Sequence, residues 1–107
     1  MTMRQEVVDI TDAIKKAVPV ERIYLFGSHA YGTPNDDSDY DLFMLLPDDG
    51  MKPLEAAQKA HKALIYIDQK AQVDILADYY SRFNDRSKLN TLERKVANEG
   101  KVLYEQV

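Results

Sequence analysis

Hydrophobic residues along this 107-residue chain recur at helical spacing in three segments. The first segment, Met3–Val18, is followed by Pro19, which cannot continue a helix. The second, Pro53–Ile67, predicts an amphipathic helix whose apolar side consists of Leu54, Ala57, Ala60 or His61, Leu64 and Ile65. The third begins at Ser87 and ends at Gly100, the residue type that commonly follows a helix, and its apolar positions in register are Leu89, Leu92 and Val96.

Shorter apolar runs between these segments predict β-strands over Arg22–Phe26, Tyr40–Leu46 and Gln72–Leu76. The stretch Leu42–Leu46 is almost continuously apolar, which predicts a central strand that is buried on both faces. Residues Asp78–Asn84 fit a turn or a short helix, and Val102–Tyr104 fits a short extended tail. Helices alternate with strands, so the fold class is α/β or α+β with about three strands.

Length and composition limit what this chain can be. At 107 residues we expect a single domain over residues 1–107. The sequence has no cysteine, which excludes disulfides and thiolate metal sites, and it contains no apolar run of roughly 18 residues that could span a membrane. With no signal peptide visible at the N-terminus, we expect a cytoplasmic protein.

The acidic residues are unevenly distributed. Residues 1–50 carry four basic and ten acidic side chains, and the whole chain has a net charge of −4. An anionic half argues against direct binding to a nucleic-acid backbone, which requires a basic patch. Clustered acids also bind hard cations, however, so the cluster between Asp36 and Asp49 is a candidate metal site.

Three carboxylates are candidates for that site. Asp39 and Asp41 open the second predicted strand and, two residues apart, share a face of it. Asp74 interrupts the apolar third strand, where a charge needs a partner. If these two strands are neighbours, the three acids converge and require a cation, for which magnesium is suited because it accepts carboxylate oxygens and leaves positions for substrate phosphates.

A turn that follows the first strand is a candidate phosphate site. Gly27 allows close backbone approach, and the hydroxyl of Ser28 adds a hydrogen-bond donor. A strand-to-helix turn also directs free backbone N–H groups toward a bound anion. If the strand that ends at Phe26 lies beside the one that begins at Tyr40, this turn and the acidic pair lie side by side.

These residues resemble a known family, the polymerase-beta-like nucleotidyltransferases. Gly27-Ser28, followed after ten residues by Asp39-Tyr40-Asp41, is similar to the family signature, and Ala30 and Gly32 also fit it. Asp74 in Val-Asp-Ile-Leu resembles the third family carboxylate, and Asn98–Tyr104 resembles the end of minimal nucleotidyltransferase (MNT) domains. The resemblance implies a mixed sheet of about three to four strands flanked by helices.

The resemblance also implies a reaction and its residues. Asp39 and Asp41 would bind two magnesium ions, Asp74 would bind the catalytic ion and favour deprotonation of the acceptor hydroxyl, and Gly27 and Ser28 would bind the triphosphate. The substrate would be a nucleoside triphosphate such as ATP. A chain this small is similar to the antitoxin of HEPN–MNT toxin–antitoxin pairs, which adenylylates a tyrosine of the HEPN ribonuclease or neutralises it by binding.

Three functions are consistent with these observations: an adenylyltransferase that modifies a HEPN toxin, a non-catalytic antitoxin that acts by complex formation, and a small-molecule nucleotidyltransferase. The chain is short for the third, because such enzymes usually carry a further domain that binds the acceptor. A bare domain would instead take its acceptor site from a partner or from an oligomer of like or unlike chains. Candidates for such an interface, or alternatively for core packing, are Tyr79, Tyr80 and Phe83.

Overall fold

The chain folds into helices and strands that largely follow the predicted pattern. A computed structural model describes residues 5–27, 39–67 and 72–106. Its helices are α1 (Gln5–Ala17), α2 (Pro53–Leu64), α3 (Tyr80–Ser87) and α4 (Leu92–Glu99), and its strands are β1 (Arg22–Phe26), β2 (Tyr40–Leu46), β3 (Val73–Tyr79) and β4 (Lys101–Glu105). None of the helices in this part of the chain has the length and apolarity required to cross a membrane.

The strands form one mixed sheet in the order β3-β2-β1-β4. Strand β1 pairs antiparallel with both β2 and β4, whereas β2 and β3 are parallel. The connection between the parallel strands contains α2, as a parallel pair requires a long crossover. The predicted mixed sheet flanked by helices is confirmed, and so is the burial of Leu42–Leu46 on both faces.

Side-chain alternation along the strands builds a separate core on each face of the sheet. One face carries Leu42, Met44 and Leu46 of β2 and packs against α1 and α2, which contribute Val7, Ile10, Ile14, Ala56, Ala60 and Leu64. The other face carries Tyr24, Phe43 and Leu45, which pack against Phe83 of α3 and Val96 of α4. We call the first the α1–α2 face and the second the α3–α4 face.

Aromatic rings hold α3 against the sheet. Phe83 is 1% exposed, lies stacked on Tyr24 at 5.6 Å between ring centroids, and meets Phe43 edge-on at 5.1 Å. Offset-stacked and edge-to-face pairs are favourable beyond their buried area. Phe83 is therefore a core residue rather than part of an exposed interface, while Tyr79 and Tyr80 are half-buried.

The region after β3 differs from its sequence prediction. The helix predicted to begin at Ser87 begins instead at Leu92, as α4, and the stretch Asp78–Asn84, predicted as a turn or a short helix, is divided between the end of β3 and α3. Thr91 is the N-cap of α4, since its side-chain oxygen accepts a hydrogen bond from the backbone N–H of Arg94. This local cap, rather than an apolar periodicity that includes Leu89, determines where the last helix begins.

Two further predictions are corrected. Helix α2 ends three residues before Ile67 and buries Ala56, Ala60 and Leu64, whereas Leu54 is 72% exposed and Ile65 is 74% exposed. Small alanines at every fourth position let the helix lie close to its neighbours. This close packing is more favourable than burial of the larger side chains of Leu54 and Ile65 would be. At the C-terminal end, the predicted tail is strand β4, whose pairing with β1 satisfies its backbone.

Candidate functional site

A row of three side chains crosses one end of the sheet and contains two of the predicted acids. Phe26 of β1 is the register partner of Asp41 in β2, and Asp41 is in turn the register partner of Asp74 in parallel strand β3. Register partners on adjacent strands lie on the same face with their Cβ atoms about 4.5–5.5 Å apart. The fold therefore brings together two carboxylates that are 33 residues apart in the sequence.

Both acids lie on the α3–α4 face. Along β2, Asp41 alternates with Leu42 and so shares its face with Phe43, which packs against α3. Along β3, Val73 and Ile75 pack into the core of the opposite face, so Asp74 projects to the same side as Asp41. This side-chain geometry is the one that the alternation of apolar and acidic residues predicts.

The two helices on this face leave the acids accessible. Helices α3 and α4 cover Tyr24, Phe43 and Leu45, but Asp74 is exposed and Asp41 is half-buried. Asp39 directly precedes β2 and is also exposed. The beginnings of β2 and β3 thus form an open, acidic surface at one end of a well-packed face. We call this surface, formed by Asp39, Asp41 and Asp74, the acidic shelf.

Gly27 shapes the shelf on the β1 side. Its φ of +76° is a left-handed conformation that other residues rarely adopt. A Cβ atom at this position would lie 3.2 Å from Cγ of Asp41 and closer still to its Oδ2, so a side chain there would displace the carboxylate. Glycine is required here both by the turn and by the close approach of Asp41.

The predicted site residues therefore differ in how far the structure describes them. Asp41, Asp74 and Gly27 come together, and Asp39 adjoins them in sequence, while Ser28 lies outside the described residues. Within the described ranges, no group of three or more His, Asp or Glu side chains is arranged to hold a metal ion. The metal-ligand roles of Asp39, Asp41 and Asp74 stay predictions.

The donor set nevertheless fits magnesium. Like charges at register positions of neighbouring strands repel, and a cation beside them removes that cost. Magnesium is commonly bound through one or two carboxylates, with water and substrate phosphates as its other ligands. Asp41 and Asp74 supply such a pair, and their oxygen-only chemistry suits this ion.

A contact that the sequence did not reveal supports the start of β2 from the α1–α2 face, opposite the acids. The Tyr40 hydroxyl donates a hydrogen bond to Oε1 of Glu6 at 3.0 Å, and the Tyr40 backbone N–H donates to the Gln72 carbonyl at 2.9 Å. Tyr40 lies between Asp39 and Asp41 but points into the α1–α2 face, where it is 1% exposed. Its position within a strand signals burial, but no local pattern identifies Glu6 as its partner.

The cation of Arg22, on the α3–α4 face, forms its hydrogen bonds away from the acidic shelf. Arg22 donates hydrogen bonds to the Tyr24 hydroxyl at 2.9 Å and to the Glu105 carboxylate of β4. Burial alone would lower the pKa of Arg22, but these hydrogen bonds and the nearby Glu105 charge raise it above its ordinary value. Arg22 lies four strand positions from Phe26, so its charge ties β4 to β1 rather than neutralising the acids.

Comparison with known proteins gives a family-level match. Residues 8–107 match the family model described as "Polymerase beta, Nucleotidyltransferase". No curated protein matches the sequence.

Two solved structures are similar in fold. One is a protein from Sulfolobus solfataricus assigned as a nucleotidyltransferase, with a TM-score of 0.60 and 14% identity, covering 95% of this chain and 79% of that one. The other is a toxin–antitoxin crystallised with AMP-PNP, with a TM-score of 0.54 and 24% identity, covering 94% of this chain and 73% of that one. Both identities are low, so these similarities concern the fold.

Proposed function

The chain belongs to the polymerase beta nucleotidyltransferase family, and from that premise we propose that it transfers AMP from ATP to a hydroxyl of a partner protein. The acceptor in this proposal is a tyrosine of a HEPN-family toxin, and the chain acts as the antitoxin. The observation that carries the proposal is the register pairing of Asp41 with Asp74 on an accessible face, next to a left-handed Gly27.

Asp39, Asp41 and Asp74 are the residues that we propose to hold magnesium, with Asp39 and Asp41 serving two ions. Bound magnesium would neutralise the phosphate charge and polarise the phosphoryl oxygens. Gly27 and Ser28 would bind the triphosphate, Gly27 through the backbone of a left-handed turn next to Asp41. The assignments of Asp39, Asp41, Asp74 and Gly27 are supported by the family pattern and by the positions of these residues, and that of Ser28 by the family pattern alone.

The reaction is a displacement at the α-phosphorus of ATP. The acceptor oxygen forms a bond to this phosphorus while the bond from phosphorus to the oxygen that bridges to the β-phosphate breaks, and pyrophosphate leaves. The proton of the acceptor hydroxyl passes to solvent, favoured by the negative charge of Asp74 at the exposed edge of the sheet. The products are the AMP ester of the acceptor, pyrophosphate and one proton.

A protein acceptor is favoured by the openness of the shelf. Helices α3 and α4 cover the apolar rows of their face and leave Asp74 exposed, so the described residues supply no enclosing wall for a small acceptor. A partner surface would complete the site. The similar toxin–antitoxin structure supports this class of partner, because a similar fold occurs there in a toxin–antitoxin crystallised with AMP-PNP.

The test is a label-transfer assay. The purified chain is incubated with magnesium and the protein encoded by the neighbouring gene, once with ATP labelled at the α-phosphate and once with ATP labelled at the γ-phosphate. We expect label on the partner from the first nucleotide alone, and loss of at least about a hundredfold in rate on Asp41→Asn or Asp74→Asn. Asp49→Asn, in the exposed turn after β2, is the control and should leave the rate unchanged.

Other outcomes identify other functions. No transfer, with the Asp41→Asn chain still neutralising the partner's ribonuclease activity, would replace the proposal with an antitoxin that acts by binding. Transfer to a small hydroxyl compound but not to the partner would indicate a small-molecule nucleotidyltransferase. Label from the γ-phosphate would exclude nucleotidyl transfer.

A further inference from the structure

A second row of side chains crosses the α3–α4 face one step below the acids and ends in an apolar residue at each edge of the sheet. Register pairing joins Val102 to Tyr24, Tyr24 to Phe43, and Phe43 to Leu76. Tyr24 and Phe43 are each 5% exposed beneath α3, whereas Val102 is 46% exposed and Leu76 is 43% exposed. The row therefore has a buried centre and two similarly exposed ends.

The two ends have different surroundings. Leu76 is two residues from Asp74 on edge strand β3, so the two side chains are neighbours on one face, about 6–7 Å apart along the strand. Val102 lies at the opposite edge, on β4, with β1 and β2 between it and Asp74. Leu76 is thus an exposed apolar residue beside a site acid, and Val102 is a similarly exposed apolar residue far from the site that can serve as its control.

The two sides of the acidic shelf differ: the β1 side is where we propose the triphosphate binds, and the β3 side is open at the edge of the sheet. Gly27 touches Asp41 from the β1 side, where the proposed function places the triphosphate. Asp74 and Leu76 lie on the β3 side, at the sheet edge, and α3 packs over Phe43 without burying Leu76. An acceptor that approaches Asp74 from outside the sheet therefore meets the Leu76 side chain.

We propose that Leu76 is a specificity residue for the acceptor and that it packs against an aromatic ring carrying the acceptor hydroxyl. The inference rests on the proposed function and identifies the residue that selects its tyrosine acceptor, a phenol, over an aliphatic alcohol. A ring that covers Leu76 loses apolar surface to water, which favours binding, while its hydroxyl remains next to Asp74. A serine or threonine side chain is too short and too polar to gain from the same contact.

The test uses N-acetyltyrosinamide and N-acetylserinamide as acceptors, with magnesium and ATP labelled at the α-phosphate. Leu76→Ser should raise the KM for N-acetyltyrosinamide about five- to tenfold and leave kcat and the KM for ATP unchanged, since only apolar contact with the ring is lost. The KM for N-acetylserinamide should change less than about twofold. Val102→Ser, equally exposed on the other edge strand, should change none of these constants.

The possible outcomes distinguish a failure of this inference from a failure of the proposed function on which it rests. Transfer to N-acetyltyrosinamide with the same KM in the unsubstituted and Leu76→Ser chains overturns the inference alone, as does an equal rise in both variants. A rise in the KM for ATP also overturns it, because Leu76 would then contact the nucleotide. Absence of labelled product from both amides and from the neighbouring gene's protein overturns the proposed function and this inference together. If that protein alone is labelled, the same comparison is made with it as the acceptor: a higher KM in Leu76→Ser than in Val102→Ser supports the inference, and equal KM values overturn it alone.

Discussion

The hydroxyl of Tyr40 and the carboxylate of Glu6 are joined by a hydrogen bond of 3.0 Å that links β2 to the first turn of α1. Because Tyr40 lies between Asp39 and Asp41 and points to the opposite face, the contact fixes the acidic end of β2 from the core side. A residue that faces away from the shelf thereby holds in place the backbone that carries Asp41.

Removing this hydroxyl should destabilise the fold. We expect Tyr40→Phe to lower the free energy of unfolding by about 1–2 kcal/mol, because a buried hydrogen bond to a carboxylate is lost while the ring is kept. Urea denaturation followed by circular dichroism measures the change. Tyr66→Phe removes the same atom from a side chain that is 82% exposed and should stay within about 0.5 kcal/mol; equal losses would show that the Tyr40 contact contributes nothing.

The pairing of Asp41 with Asp74 should cost stability in the absence of a cation. Neutralising one acid with Asp74→Asn should raise Tm by about 1–2 °C at low salt, a few tenths of a kcal/mol of relieved repulsion at an exposed position. The gain should shrink in high salt. A fall in Tm at low salt would mean that the Asp74 charge is stabilising in the free protein.

Magnesium should stabilise the unsubstituted chain but not a chain in which one of the paired acids is neutralised. At ten times its dissociation constant, a ligand that binds only the folded chain adds about 1.4 kcal/mol of stability. Magnesium should therefore raise the Tm of the unsubstituted chain and of Asp49→Asn, but not of Asp41→Asn, and EDTA should remove the effect. The measurement is differential scanning fluorimetry across a magnesium titration, and an equal shift in all three proteins would place the ion elsewhere.

Gly27→Ala should damage both fold and site. The methyl group meets the carboxylate of Asp41, and the backbone must hold a φ of +76°, so we expect a loss of about 1–3 kcal/mol in unfolding free energy together with loss of transfer activity. Gly50→Ala is the control, because Gly50 lies in a turn away from the acids and its Cβ would be 3.1 Å from the nearest atom, the Pro47 carbonyl oxygen. Full activity in Gly27→Ala would refute the close approach of Asp41.

Phe83 should be essential to the second core. Phe83→Ala should lower the free energy of unfolding by about 3–5 kcal/mol, a large part of the stability of a small domain, because the ring packs on Tyr24 and Phe43. Guanidinium denaturation measures the loss. Leu89→Ala alters a side chain that is 59% exposed in the turn between α3 and α4 and should change little, so a similar loss there would show that the Phe83→Ala result does not report the packing of its ring.

Much of this architecture could be predicted because its signals are local. The bounds of β1 and β2 follow from short apolar runs between turns, and the burial of Leu42–Leu46 follows from the continuity of its run. The pairing of Asp41 with Asp74 could be stated only conditionally, since register between strands separated by α2 depends on how the helix packs. Strand alternation and the cost of a charge in an apolar strand made the three acids candidates before any geometry was known, and the family pattern pointed to the same residues.

The remaining features depend on hydrogen bonds and packing that apolar periodicity does not report. The start of the last helix at Leu92 rather than Ser87 follows from the Thr91 cap, and the buried side of α2 depends on close packing by Ala56 and Ala60. Strand β4 has too short an apolar run to be recognised without its partner β1. The Glu6 contact spans 34 residues and has no sequence signal at all.

The acidic residues of β3 also protect the parallel register of β2 and β3 against slippage. Because side chains alternate, a shift of β3 by one residue would turn Asp74 and Asp78 into the apolar α1–α2 face and bring Val73 and Ile75 out. Burying two unpaired carboxylates costs several kcal/mol, so the slipped sheet is strongly disfavoured. Asp74, which we propose for catalysis, therefore also acts together with Asp78 to favour the correct strand alignment during folding.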